Sequence, residues 1–289
     1  MTEAGFRRVL VGFDGSEGGH DALALTRELA GLDEAEALVV SVLPYQPFPV
    51  GFVPLADEAE KKAEPLFEEA RRVLDGIRVE TRAYGGGSPA WVLSELAEKG
   101  EGDLIVVGSP HRGAIGRVLI GSTGTSLLHG AACPVAIASR GYADSDERRL
   151  RTVAAAYDGS SEAKIALHRA EAIALKANAT LRVLTVVRPP QATGVPGFAG
   201  YSYAPEVPPD PDKVLHTGME SLSQGLHVEG RRLHGPPAKT LAEACEDDVD
   251  LIVTGSRGYG PATRVLLGSV AAELARTAPC PVLVTPRGA

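Results

Sequence analysis

Along the chain, short uninterrupted apolar runs alternate with longer stretches in which apolar positions recur every three or four residues. Leu104-Ile105-Val106-Val107 and Leu251-Ile252-Val253 are runs of the first kind. Runs of this length mark strands buried on both faces, and the helical stretches between them mark the crossovers of a parallel sheet. On this pattern strands are predicted near 7–13, 37–43, 77–83, 103–108 and 134–139, with helices near 17–31, 57–75, 89–99 and 122–131. A second set follows, with strands near 152–157, 180–187, 227–233, 250–255 and 281–285 and helices near 161–177, 211–224, 238–247 and 269–277. The order βαβαβαβαβ therefore occurs twice.

The repetition extends to the residues themselves. Val9 to Ser16 (VLVGFDGS) returns as Val153 to Ser160 (VAAAYDGS), and Asp103 to Ser109 (DLIVVGS) returns as Asp250 to Ser256 (DLIVTGS). Val118 to Ser122 matches Val265 to Ser269, and Cys133-Pro134-Val135 matches Cys280-Pro281-Val282. Matches in one order at nearly one spacing mean a duplicated domain. The polar stretch Arg140 to Arg149 reads as the linker, which gives domains over 1–140 and 150–289. Both last strands are short and apolar and follow Cys-Pro, so the two copies are expected to join through Val135 to Ala138 and Val282 to Thr285 as an intramolecular pseudo-dimer, with a homodimer as a further assembly. The loops 44–56 and 188–210 are long enough to be lids or interaction surfaces as well as plain surface excursions.

Composition narrows the function. The 289 residues carry 29 Lys and Arg against 37 Asp and Glu, a net charge of −8, and no basic run supplies the footprint that nucleic acid or an acidic membrane surface requires. No apolar run approaches the ~20 residues of a membrane span, and Val9-Leu10-Val11 is too short for the core of a secretory signal. Three cysteines do not make a disulfide framework, so a cytoplasmic location is expected.

In an open α/β sheet, ligands gather beyond the carboxyl ends of the strands, where the order reverses. After the first strand of each copy stand Asp14-Gly15-Ser16 and Asp158-Gly159-Ser160. Such an Asp either accepts from a ribose hydroxyl or, with the Ser, makes only a turn and a helix cap. After the fourth strand of the second copy comes Gly255-Ser256-Arg257-Gly258, then nine residues, then Gly268-Ser269. Glycines let backbone approach a ligand, and free N–H groups at a helix start attract phosphate; the alternative is that they serve only tight turns. No Gly-Lys-Ser/Thr occurs, so this is not a Walker loop.

Asp-Gly-Ser after the first strand, the Gly-Ser-Arg-Gly loop with nine residues to Gly-Ser, and the closing Ala-Pro-Cys-Pro-Val-Leu-Val together resemble the universal stress protein family in its tandem form. The resemblance covers nearly the whole chain. It implies an α/β fold of two tandem Rossmann-like, doubly wound domains, each with a five-stranded parallel sheet similar to the adenine nucleotide α-hydrolase group. It further implies binding of ATP, AMP or another adenine nucleotide, with Mg or Mn on the phosphates as an open addition. In ATP-binding members the second strand holds the adenine by its backbone, the Asp meets the ribose region and the glycine loop holds the phosphates. Carried onto this chain, the second copy supplies Asp158, Val186, Gly255, Gly258, Gly268 and Ser269, and the first supplies Asp14, Val42, Gly108, Gly121 and Ser122. The first copy departs from the pattern, since His111 stands where the second glycine belongs and either donates to phosphate or obstructs it. The intact loop predicts the tighter site in the second copy at neutral pH.

No residue commits to catalysis, so the expected role is regulation in a stress response with at most slow ATP hydrolysis; the rival is a nucleotide-free dimerising scaffold of the same fold. Gly85 to Ala90 (GGGSPA) mimics a dinucleotide fingerprint but follows the third strand, where Pro89 simply opens a helix. The seven histidines form no zinc spacing, no G-x-S-x-G elbow occurs, and Cys133 and Cys280 read as small buried residues.

Overall fold

A computed structural model describes residues 5–43, 56–110, 118, 121–145, 150–188, 210–246, 248–256 and 268–286. In the first half, β1 (Arg8–Gly12), β2 (Glu36–Leu43), β3 (Val79–Gly85), β4 (Leu104–Gly108) and β5 (Val135–Ala138) alternate with α1 (Glu17–Asp33), α2 (Ala56–Val73), α3 (Pro89–Glu98) and α4 (Ser122–Leu127). The second half repeats this with β6 (Thr152–Ala156), β7 (Thr180–Val187), β8 (Val228–His234), β9 (Leu251–Gly255) and β10 (Val282–Thr285), and with α5 (Ser161–Ala177), α6 (Pro211–Glu220), α7 (Pro237–Ala244) and α8 (Ser269–Thr277). The strands form one sheet in the order β3-β2-β1-β4-β5-β10-β9-β6-β7-β8. Within each half all neighbours are parallel, and β5 meets β10 antiparallel with Ala136 opposite Leu283.

The alternation of side chains along each strand explains the double winding. Val9, Val11, Leu104 and Val106 point into one core with Leu23, Leu25 and Phe67 of α1 and α2, while Leu10, Ile105 and Val107 point into the other with Leu93 and Leu127 of α3 and α4. The second half divides in the same way, with Val153, Val183 and Val253 on the α5 side and Ile252 and Val282 against Leu241 and Leu274 of α7 and α8. Each wholly buried Leu or Val contributes about 1.5–3 kcal/mol.

Helix limits follow their caps. Ser16 and Ser160 accept from the third helical N–H of α1 and α5, and both helices end in a left-handed residue, Glu34 and Asn178. The fourth helix is shorter than its periodicity suggests. It stops at Leu127 rather than near 131, because the chain turns through His129 and Gly130. Likewise α6 ends at Glu220 rather than near 224, where the Ser221 hydroxyl donates to the Gly218 carbonyl at 2.7 Å. The linker is not wholly irregular. Tyr142–Asp144 makes a 3-10 turn whose Gly141 and Ala143 N–H groups donate to the buried carboxylate of Asp21 at 3.0 and 2.8 Å. The halves also meet through α1 and α5. Asp33 accepts from the Phe6 N–H at 2.7 Å and pairs with Lys176, and the Arg169 guanidinium lies 4.8 Å over the Phe6 ring. The long loops, 44–55 and 189–209, lie outside the described residues.

Candidate functional site

The order β2-β1-β4 places the reversal point of the first half between β1 and β4. The chain leaves β1 through Asp14-Gly15-Ser16, where Gly15 has φ +77°, a left-handed conformation that glycine adopts without strain. The Ser16 N–H and hydroxyl both donate to Asp14 Oδ1, at 3.0 and 2.5 Å, and the Gly19 N–H donates to Ser16 Oγ at 3.1 Å. The second half repeats the device: Gly159 has φ +83°, the Ser160 N–H donates to Asp158 Oδ1 at 3.0 Å, and the Ala163 N–H donates to Ser160 Oγ at 3.2 Å. In both halves, then, Asp and Ser build the turn and the cap. In the first half Asp14 also faces a cleft.

That cleft has a volume of about 290 Å³, near the lower end of the range for small-ligand sites. It brings together Asp14, Val42, Gly108, Gly121 and Ser122, five of the six residues that the sequence singles out in this half. The sixth, His111, lies outside the described residues. Val42 stands near the end of β2, opposite Tyr84 of β3. Gly121 caps α4 in an extended conformation without a side-chain hydrogen bond, so the first-turn N–H groups of Ser122, Thr123 and Gly124 border the cleft with no capping side chain.

Gly108 has a packing reason besides a ligand. A Cβ there would fall onto the backbone of Gly18 in the first turn of α1, with Gly18 Cα at 2.9 Å and its carbonyl closer still. Gly255 is constrained alike, its added Cβ meeting Glu162 O at 2.7 Å, C at 2.8 Å and Cβ at 2.9 Å. In the second half Asp158 follows β6, Val186 stands opposite Leu233 near the end of β7, Gly255 closes β9, and Gly268 caps α8 before Ser269. Gly258 lies outside the described residues.

Sequence reading missed several cleft residues: Gly12, Gly18, Gly19, Thr123 and Gly124 also line it. The signal was the glycine pair one residue after the Ser16 cap, in a helix turn where glycine costs about 0.5–1 kcal/mol relative to alanine. A Cβ on Gly19 would lie 2.8 Å from the Phe13 ring and 3.1 Å from Asp14 Oδ1. The Phe13 ring meets His20 edge-on at 5.2 Å. The His20 ring nitrogens contact the Ser16 carbonyl at 2.8 Å and Glu69 Oε1 at 3.0 Å. Burial lowers the His20 pKa, but the Glu69 and Ser16 hydrogen bonds and the charges of Glu69 and Asp21 outweigh it, so it ends above its ordinary 6.5.

The remaining chemistry-bearing residues stay structural. Burial pushes the Cys133 thiol up to about 12. The hydrogen bond with Cys245 and burial hold the Cys280 thiol well above its ordinary range. Among the described residues no three His, Cys, Asp or Glu side chains gather as a metal-binding group, and no helix is long and apolar enough to cross a membrane. Ser88 caps α3 without a side-chain bond and Pro89 opens it, the role expected for the Gly-rich decoy.

Comparison with known proteins adds the lineage. A family model described as the universal stress protein family matches residues 5–139 and again 149–286. A universal stress protein of Mycolicibacterium smegmatis is 28% identical over 297 residues, covering 96% of both chains. One of Mycobacterium tuberculosis is 28% identical over 295 residues, covering 96% of this chain and 99% of that one. Among solved structures, a universal stress protein from Archaeoglobus fulgidus superposes with a TM-score of 0.73 at 23% identity, covering all of both chains.

Proposed function

Because this chain belongs to the universal stress protein family, we propose that it is a cytoplasmic stress-response regulator that binds an adenine nucleotide, ATP first among them. The carrying observation is the cleft beside β1 and β4, where residues far apart in sequence (Asp14, Val42, Gly108, Gly121 and Ser122) line one space. Their chemistry suits the ligand. The Asp14 carboxylate is an acceptor for ribose hydroxyls, Val42 offers strand-end backbone to a base, and the open first turn of α4 offers N–H donors to phosphate. Asp158, Val186, Gly255, Gly258, Gly268 and Ser269 are the corresponding residues of the second half. In this reading domains 1–140 and 150–289 form a pseudo-dimer across β5 and β10, with a homodimer as a further assembly. Bound ATP would bring a transferable phosphoryl group, but this chain's residues at the cleft bind and orient; no general base is assigned, and hydrolysis is at most slow.

One observation favours a second reading, a nucleotide-free scaffold of the same fold: Gly108 and Gly255 are demanded by helix packing whether or not a ligand is present. Two measurements separate them. Denaturing the purified protein should release an adenine nucleotide identifiable by mass spectrometry, and calorimetry should show ATP binding that Asp14→Ala weakens about fivefold or more, as expected for one lost hydrogen bond. Neither released nucleotide nor saturable ATP binding would leave the scaffold reading in its place.

A further inference from the structure

The starts of α1 and α5 are matched by hydrogen bonding, since the Gly19 and Ala163 N–H groups each donate to the capping serine. One residue further on, α1 carries His20 and α5 carries Lys164. An imidazole therefore stands beside the first cleft where the second half has an ammonium group.

The partners of this ring set its protonation state. Nδ1 lies 2.8 Å from the Ser16 carbonyl oxygen, and Nε2 lies 3.0 Å from Glu69 Oε1. A carbonyl and an ionised carboxylate only accept, and a neutral imidazole has a single N–H to give, so only the imidazolium makes both bonds. Loss of the proton leaves a nitrogen lone pair facing an oxygen at one end of the ring or the other. Both ends lead to the cleft. Ser16 holds Asp14 through its N–H and its hydroxyl, and Leu66, one turn before Glu69 on α2, packs over Gly15, where an added Cβ would lie 2.7 Å from Leu66 Cδ2. Phe13, which meets His20 edge-on at 5.2 Å, lines the cleft itself.

The charges acting on the ring come from Glu69 on α2 and Asp21 on its own helix, and both are acidic and favour the proton. In the turn, Asp14 Oδ1 is engaged by Ser16, and on α2 the Arg72 guanidinium donates to the Glu68 carbonyl at 3.4 Å. With its pKa above 6.5, His20 is charged in mildly acidic solution and loses its proton as pH rises through that folded value.

We infer that His20 is a positioning residue for the first cleft: as an imidazolium it ties α2 to the turn that carries Asp14, and a nucleoside held by that turn binds more tightly while the ring is protonated. The inference rests on the nucleotide reading of the cleft. Adenosine is the probe, because its ribose can reach Asp14 and it carries no group of its own that titrates near neutrality, as a phosphate would. Calorimetry on the full chain should show adenosine bound roughly threefold or more tightly at about pH 6 than at about pH 8, and Asp14→Ala should remove that pH-dependent binding. By reciprocity, saturating adenosine should raise the His20 pKa read by NMR by about half a pH unit or more. His20→Gln, which can donate to Glu69 without titrating, should bind adenosine with a flat pH profile, and Glu69→Gln should move the midpoint of the profile to lower pH. Circular dichroism at each pH checks folding, and should His20→Gln not fold, the NMR shift in the parent decides. A flat profile in the parent, a His20 pKa that adenosine leaves unmoved, or a pH dependence that survives in His20→Gln overturns the inference and leaves nucleotide binding standing. No adenosine bound at any pH overturns it too; the nucleotide reading then stands if ATP still binds and falls with the inference if ATP does not.

Discussion

Replacing Gly255 by alanine isolates the contact between the end of β9 and the start of α5. The new methyl carbon would face Glu162 O, C and Cβ at 2.7, 2.8 and 2.9 Å. Unstrained carbon contacts lie at about 3.5–4.0 Å, so the first turn of α5 would have to lift by roughly 0.5–1 Å. Two of the three atoms are backbone, which no rotamer change can move. Overpacking of this kind costs about 1–3 kcal/mol. Against it stands the loss of backbone freedom in the unfolded chain, which favours alanine by about 0.4–1 kcal/mol because Gly255 is not among the positive-φ glycines. The net expectation is a destabilisation of about 1–2 kcal/mol. Gly108→Ala should cost more, about 3 kcal/mol or above, since its methyl would fall inside the Gly18 carbonyl. Gly31→Ala in α1 is the control: nothing lies within 4 Å of its added carbon, and helix propensity should make it stabilising by about 0.5–1 kcal/mol. Urea denaturation followed by circular dichroism reads all three as shifts in midpoint at constant slope. A Gly255→Ala protein as stable as the parent, or one less stable than Gly108→Ala, would refute the packing account of these two glycines.

Two further outcomes follow from ionisable groups. His20 has a raised pKa, so its contribution to stability is fully present below the unfolded value of about 6.5 and is lost as pH rises through the folded value; NMR titration should place it above 6.5, Glu69→Gln should lower it, and the stability gap between parent and variant should shrink between about pH 6 and pH 8. A His20 that titrates below 6.5 would contradict the contacts described. Cys133, Cys245 and Cys280 are all buried, and the Cys133 and Cys280 thiols are held protonated, so a thiol reagent at about pH 8 should react with none of the three until denaturant is added; a thiol modified rapidly in the native protein would show that the packing around it opens.

The strands were legible because their apolar runs are short and unbroken, as in Leu104 to Val107, and because the repeat allowed each copy to check the other. Helix starts were legible through Ser16, Ser160 and the prolines; helix ends were less so, because Leu128 continues the periodicity of α4 after the backbone has begun to turn. Asp21 gave no sign of its role: it occupies an interior helix position, and only the fold shows the linker's N–H groups arriving at its carboxylate. Asp14 was found by its place after the first strand, Gly108, Gly121 and Ser122 through the loop spacing and Val42 through the family resemblance alone, whereas Gly12, Gly18, Gly19 and Gly124 were not found, because a glycine lining a cleft carries no chemistry that a motif could name.

The antiparallel meeting of β5 and β10 fixes which way each half looks. Since β1 to β5 run one way and β6 to β10 the other, the carboxyl ends of β1 and β4 lie along one rim of the sheet and those of β6 and β9 along the opposite rim. A flat partner laid against one rim therefore meets the strand ends of a single half, and a molecule held at one rim cannot touch a molecule held at the other. Among the described residues the halves touch through the joined strands β5 and β10, across the α1 and α5 seam where Phe6, Asp33, Arg169 and Lys176 meet, and through the Val118 N–H, which donates to the Ala278 carbonyl at 2.7 Å. In a tandem chain of this kind the fusion joins two halves back to back, so the residues around one set of strand ends can differ from those around the other, as Gly18 and Glu162 do in the first turns of α1 and α5.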